Sequence, residues 1–393
     1  MNLLRYEWRK LAGMPALWAF LALCLVFNGF LLYASMWTCR EFNEGSAIAA
    51  RLGQRVDENF AEGCARLPWP ETSDKREERE NLLAVLRGLE DPLVRYDGQL
   101  LRQFYADILR SSSWEAVLMD IKLQQVERRA GQLARTGAAM DFFAGPVTVE
   151  ANSFLYKILF KALLMEGVLL GALSMLCLLD HERANRTTAA LCVSRTGRRL
   201  WRTKAAAGVT AALALYLLLA MASFMLYFAL WDYSGVWGAS MASQFNTGIW
   251  SRSDVQYETS RPFIPWADFT AGTYLLSAVG LGAALTVVFT LLAAVCGILA
   301  GNAYVSAVAM VLLVMTGWAA WYAGYMGGNW AVFVALSFFP TSLLDQTLGW
   351  FTEGGIIYFI PWQETVTTAL WLLLGGGGTA LALSRFRRKD VLT

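Results

Sequence analysis

Charge is scarce in this sequence. Only 16% of its 393 residues are Asp, Glu, Lys or Arg, while 56% are hydrophobic; an ordinary soluble domain carries about 25% charged residues. A conventional water-soluble fold is excluded, and so is a disordered chain, which would be far less apolar. Histidine is scarcer still, with His181 the sole example, and no Cys/His spacing suits a metal site. An intramembrane serine protease needs a histidine inside the bilayer, whereas His181 falls at the end of an apolar run. Glu77 and Glu78 lie in a solvated charge run, a poor setting for a membrane glutamate protease. No G-x-x-x-x-G-K-[ST] stretch is present to wrap phosphates at a helix N-terminus, so the chain is expected to bind no nucleotide or other cofactor itself. With no nucleophile, base and stabiliser to assemble, an enzyme is not expected. The net charge of +2 gives no reason to expect a nucleic acid partner.

Long charge-free runs are what the sequence has in abundance. Leu11 to Cys39, Ala205 to Trp231, Phe269 to Leu344 and Thr365 to Ser384 contain 29, 27, 76 and 20 residues without a charge. A helix needs about 20 apolar residues to cross the hydrocarbon core. The 76-residue run must therefore hold two spans, separated by a turn at 297–302 in which Asn302 is expected to cap the second. A further stretch from Phe154 to Leu179 is long and apolar enough despite Lys157, Lys161 and Glu166. The fold expected is an all-α integral membrane protein with six spans, at 14–36, 154–179, 205–231, 269–295, 303–325 and 362–384. The piece at 331–345 is short for a span and contains Pro340, the pattern of a re-entrant segment. The first run is longer than a signal-peptide core and ends in bulky Met36 and Trp37, so an uncleaved anchor is expected.

Charge asymmetry fixes the expected orientation. With the N-terminus inside, the pieces 1–10, 180–204 and 385–393 carry 14 basic and 4 acidic residues, while the opposite pieces sum to −9. Lysine and arginine accumulate on the cytoplasmic side, so both termini are expected there. A seventh span would place the basic tail outside.

The segment 37–153 is expected to form an outer helical domain. Leu82, Leu83, Leu86 and Leu89 mark one helix. Leu101, Phe104, Tyr105 and Ile108 form an apolar stripe at i, i+3, i+4 and i+7, as do Trp114, Val117, Leu118 and Ile121. Cys39 and Cys64 are the only two of the six cysteines on that side, and an oxidising compartment would let them pair.

The loop at 180–204 is the most informative stretch. An acidic residue closes the second span, Thr187 to Val193 can form a short helix, Ser194-Arg195-Thr196-Gly197 makes a turn, and Lys204 opens the third span. Its basic residues alone could simply meet anionic lipid. The order of these parts resembles the cytoplasmic loop of type-2 ATP-binding-cassette (ABC) transporter permeases. The start, Leu3-Leu4-Arg5-Tyr6-Glu7-Trp8-Arg9-Lys10, is similar to that family's interfacial elbow helix (1–13), with Leu4, Trp8 and Leu11 on one side. The broken stretch with Pro340 looks like its re-entrant segment, and Arg-Phe-Arg-Arg-Lys-Asp at 385–390 like its basic tail. Family members often carry Gly before the loop Thr, where this chain has Arg186.

The resemblance implies the permease subunit of an ABC exporter in the plasma membrane, paired with a second permease copy, identical or related. It also implies a separate ABC ATPase subunit, which holds ATP and Mg. Coupling to that ATPase would fall to Asp180, Glu182, Arg183, Arg186, Thr187, Thr188, Arg195, Arg198, Arg199 and Lys204. Glu166, an ionisable group inside a span, marks either a pathway or a paired structural carboxylate. Trp318, Trp321 and Tyr322, with Tyr325 and Trp330, form either an interfacial belt or a gate. Gly375 to Gly378 suits close helix packing. The competing reading is a non-transporting membrane interaction or sensor protein using the outer domain. A channel or secondary carrier would show inverted repeats or several intramembrane charges, and neither is present.

Overall fold

A computed structural model describes residues 3–68, 73–94, 96, 98–109, 114–187, 197, 200–246 and 263–388, and among these the chain is all-α, with no strand. A short helix, α1 (Leu3–Ala12), leads into α2 (Pro15–Ala34), whose first turn begins on a proline with no amide hydrogen to lose. Five helices follow: α3 (Cys39–Leu52), α4 (Glu58–Arg66), α5 (Ser73–Arg87), α6 (Gly98–Leu109) and α7 (Trp114–Thr136). Then come α8 (Thr148–Ala184), α9 (Leu200–Leu230), α10 (Ala271–Ala300) and α11 (Ala303–Met326). Two short helices, α12 (Trp330–Ser337) and α13 (Pro340–Leu343), precede the last, α14 (Gln363–Arg388). Among the described residues six helices, α2, α8, α9, α10, α11 and α14, are long and apolar enough to cross a membrane, the pattern of a multi-pass membrane protein.

The tight turn from α10 to α11 follows from its residues. Gly301 takes the left-handed conformation (φ 69°) that ends α10, and the Asn302 side chain accepts from the amides of Tyr304 and Val305 at 2.8 and 3.3 Å. That is the expected cap, contributing on the order of 1 kcal/mol. At the start of α10, Thr270 and Thr273 close a reciprocal capping box.

Burial sorts the helices. In its most apolar stretch α8 is 67% buried inside the protein, whereas α11 is only 11% buried; α8 is therefore the axis of the bundle and α11 its edge. The reason lies in two glycines one turn apart. A Cβ on Gly167 would stand 2.5 Å from the Tyr216 ring of α9, and one on Gly171 would overlap the Thr290 hydroxyl of α10. Small residues at this spacing let helix backbones approach closely where no water-driven force holds them together. In α14, Gly375 and Gly378 pack similarly on Leu291 and Val295, while Gly376 and Gly377 face open space. Within α8 the stretch Ser153–Leu159 is wound as a π-helix, a rare geometry that inserts a residue and turns the side chains ahead of it. Nothing in the sequence announces it.

The layer of α3 to α7 caps one end of the bundle together with the segments 231–246, 264–270 and 344–360. Main-chain bonds stitch it: Val56 donates to Met140 at 2.8 Å, Phe142 to Gln54 at 2.7 Å, and Gln244 to Ala139 at 2.7 Å. Leu86 of α5 is buried, with Leu82, Leu83 and Leu89 packed against the same core. Tyr105 of α6 is buried as well, while the side chains of Leu101, Phe104 and Ile108 lie outside the described residues.

The second stripe lies on the open side of its helix. Trp114, Val117 and Ile121 are each about half exposed (53%, 58% and 49%), and α7 instead buries Met119, Lys122, Leu123, Val126, Ala130 and Leu133. A lysine sits inside this face because its charge is met there. Lys122 donates to the carbonyls of Tyr358, at 2.8 Å, and Gly355, and Glu353 lies 3.4 Å away. The open question of a Cys39–Cys64 pair is answered by two free thiols. The Cys39 thiol donates to the Leu230 carbonyl at 2.8 Å, and Cys64 is fully buried in the core between α3, α4 and α5.

Close packing at the α8 axis can be tested directly. Gly171→Val should overpack the contact and destabilise the protein by about 1–3 kcal/mol, whereas Gly376→Ala should leave it unchanged or slightly more stable. Thermal unfolding of both variants in the same detergent decides this, and equal midpoints would remove Gly171 from the packing argument.

Candidate functional site

Four charged side chains meet where α1 crosses the ends of α8 and α9. Lys10 of α1 bonds Glu7 Oε1 at 2.7 Å and Glu182 Oε1 at 2.6 Å. Lys204 of α9 bonds Glu182 Oε2 and the Leu178 carbonyl, the latter at 2.7 Å, and lies 3.5 Å from Glu7 Oε2. Glu7, Glu182 and Lys204 are all buried. Two carboxylates against two ammonium groups leave the cluster neutral, the condition under which charges survive out of water. Burial works against a charged Lys10, but its bonds to Glu182 and Glu7 outweigh that and raise its pKa above the ordinary lysine value. The apolar side of α1 is the one expected: Leu11 is buried, with Leu4 and Trp8 packed beside Leu178, Ala207 and Ala211. The Trp8 indole also donates to Thr210 Oγ1 at 3.1 Å.

The geometry thus brings Glu182 and Lys204 together but turns them inward. Both were expected to face an ATPase; they are instead the interior joint between three helices. Arg183 is likewise engaged, donating to the Gly297 carbonyl at 3.1 Å with its guanidinium 4.9 Å from the centre of the Trp201 ring. Asp180 is half-buried. The end of α8 is closed by Arg186 and Thr187. Thr187 donates its amide to the Glu182 carbonyl at 2.9 Å and Arg186 to the Arg183 carbonyl at 3.0 Å, the paired bonds of a Schellman cap. Arg186 takes φ 56° there, the left-handed position that favours glycine. Thr188, Arg195, Arg198 and Arg199, with most of the expected Thr187 to Val193 helix, lie outside the described residues.

Glu166 stands halfway along α8 and is buried. Its partner is an amide: Asn28 of α2 donates to Glu166 Oε2 at 2.8 Å and reaches Ser223 Oγ of α9 at 3.3 Å. Sequence reasoning missed Asn28, although it is the one amide side chain in the apolar run of α2. Glu7 and Lys10 were visible only as a basic, amphipathic start, and their i, i+3 spacing was the available signal. Lys122 was hidden because a lysine in a helix normally marks the solvent face.

A cavity of about 730 Å³ opens at the capped end of the bundle. The α11 residues Trp318, Trp321 and Tyr322 line it, as do Ser153 and Lys157 of the π-helical stretch and Asp345 and Glu353 of the segment before α14. Trp318 and Tyr322 stack at 5.8 Å, and the Trp321 indole is fixed by a 3.1 Å bond to Ser337 Oγ. Glu166 does not line this cavity, so the residues expected to share a pathway fall into two separate places. The broken stretch after α11 is tied down by Gln363. Its side chain accepts from the Phe359 amide at 2.6 Å and donates to the Ser337 carbonyl at 3.2 Å.

No protein-family model, curated protein or solved structure matches the chain.

Two measurements check this site. Lys204→Met leaves two carboxylates facing one ammonium and should cost about 3–5 kcal/mol, the penalty of a buried charge stripped of its partner. Pairing it with Glu182→Gln restores neutrality and should recover part of the loss, so an additive double variant would contradict the coupling. Arg186→Gly should stabilise the protein by about 1 kcal/mol through relief of the left-handed backbone; a lower unfolding midpoint would show that the arginine side chain outweighs the strain.

Proposed function

We infer that the protein is the membrane permease subunit of an ATP-driven ABC exporter, working with a separate ATPase and a second permease copy. The observation that carries this reading is the buried cluster of Glu7, Lys10, Glu182 and Lys204. It fastens α1 to the two helices that flank the basic segment 188–199, so a force applied to that segment reaches α1, α8 and α9 as one body. An ion joint of this kind suits a coupling base, because it holds a geometry through charge matching and not through stability alone. In this reading the joint and both termini are cytoplasmic, as the excess of Lys and Arg there requires. The helical cap lies outside, and α12 and α13 form a re-entrant break near the outer face of the plasma membrane. The partner ATPase holds ATP and Mg, and its closure shifts the permease between two arrangements by differential binding.

A non-transporting interaction protein is the second reading. The exposed apolar stripe Trp114, Val117 and Ile121 on the cap favours it, since such a stripe suits a protein partner.

Affinity purification of the tagged chain in mild detergent separates the two. The exporter reading expects a stoichiometric P-loop ATPase whose hydrolysis depends on this chain. Replacing both Arg198 and Arg199 by Ala should abolish that association while leaving the unfolding midpoint unchanged. Purification with a non-ATPase partner would transfer the function to the cap.

A further inference from the structure

The cavity at the capped end has an unequal charge balance. Its two acidic residues are each answered by a lysine: Asp345 by Lys161, and Glu353 by Lys122 at 3.4 Å. Glu353 also accepts from the Gly355 amide at 3.0 Å. Lys157 lines the same space, is exposed, and makes no ion pair or hydrogen bond among the described residues. Among the described lining residues one positive charge is therefore left over. Facing into the same cavity is an apolar wall left open among the described residues: Trp318 and Tyr322, one turn apart and stacked 6° from parallel, remain 43% and 45% exposed. The volume of about 730 Å³ falls in the range of sites that enclose a whole small molecule.

We propose that this cavity binds an anionic amphiphile, with its acid group on Lys157 and its apolar body along Trp318 and Tyr322. A single-chain acid satisfies both surfaces at once. A cation would meet carboxylates already neutralised, and a neutral hydrocarbon would leave Lys157 unanswered. The binding stands on the cavity alone; that the bound molecule is cargo rests on the exporter reading.

The test uses the full chain in phosphatidylcholine nanodiscs with a diazirine-bearing palmitic acid, adducts being mapped by peptide mass spectrometry. Adducts are expected on the α11 peptide that carries Trp318 and Tyr322, displaced by palmitate and not by its methyl ester. Lys157→Gln should weaken palmitate competition by about ten- to a hundredfold, the worth of one charge-assisted hydrogen bond, and Lys157→Arg should retain it. Trp318→Ala with Tyr322→Ala tests the apolar wall and should reduce labelling with Lys157 intact. Displacement by phosphatidylglycerol as well as palmitate supports the same chemistry with a membrane lipid as its source. The proposal is overturned if the methyl ester competes equally, if Lys157→Gln changes nothing, or if adducts spread over the apolar helices without competition. None of these outcomes depends on an ATPase. Loss of ATPase association with binding preserved would remove the exporter reading and leave the site standing.

Discussion

A lysine taken out of water must find carboxylates, and that requirement governs the base of this bundle. Glu182 is gripped from two sides, by Lys10 of α1 and Lys204 of α9, and Glu7 closes the set from α1. Each of the three helices supplies a charge that the other two must answer. None can shift by a turn without stranding a buried ion, which costs several kcal/mol. The position of α1 is thereby specified far more narrowly than its short apolar side could achieve, since Leu4, Trp8 and Leu11 would tolerate a rotated or sliding contact.

The Schellman cap of α8 extends the same constraint. Glu182 uses its carboxylate in the joint and its carbonyl to accept the Thr187 amide, so the end of α8 and the ion cluster are set by one residue. Arg186 is held in the left-handed position beyond it. A glycine there would be relaxed, and the arginine keeps a turn that the paired main-chain bonds enforce.

How much of this was legible depended on whether a residue's role followed from its own neighbourhood in the chain. Apolar runs declare spans, because a helix must satisfy its backbone within itself wherever water is absent. Asn302 declared a cap, standing between two such runs. The stripe Trp114, Val117 and Ile121 had the right period, but its period could not say that it stays exposed; the face α7 buries includes a lysine whose partners, at Glu353, Gly355 and Tyr358, lie more than two hundred residues away. Glu182 and Lys204 looked like surface charges for the same reason: their meeting requires α8 and α9 to be antiparallel neighbours with α1 across their ends. The π-helical stretch and the unbridged Cys39 and Cys64 left no local mark at all. Three-dimensional pairing, not propensity, decided the places of Lys122, Glu182 and Lys204.

The geometry of α8 links the ion joint and the cavity. At 1.5 Å per residue, Lys157 and Glu182 are separated by about 37 Å along the helix, against a hydrocarbon core of about 30 Å. If the ion joint sits at one interface, Lys157 and the cavity fall at the other, with Glu166 about 13 Å inward from Lys157. Between the ends, α8 is pressed most closely against α9 and α10 at Gly167 and Gly171. A helix resists stretching but can tilt about such a contact, and tilting carries its ends in opposite directions. In the proposed reading, movement imposed on Glu182 is thus delivered to Lys157, and with it to the lining of the cavity. The Asn28 amide bound to Glu166 lies beside this fulcrum, where a polar contact between α2 and α8 is displaced least and can persist in both tilts.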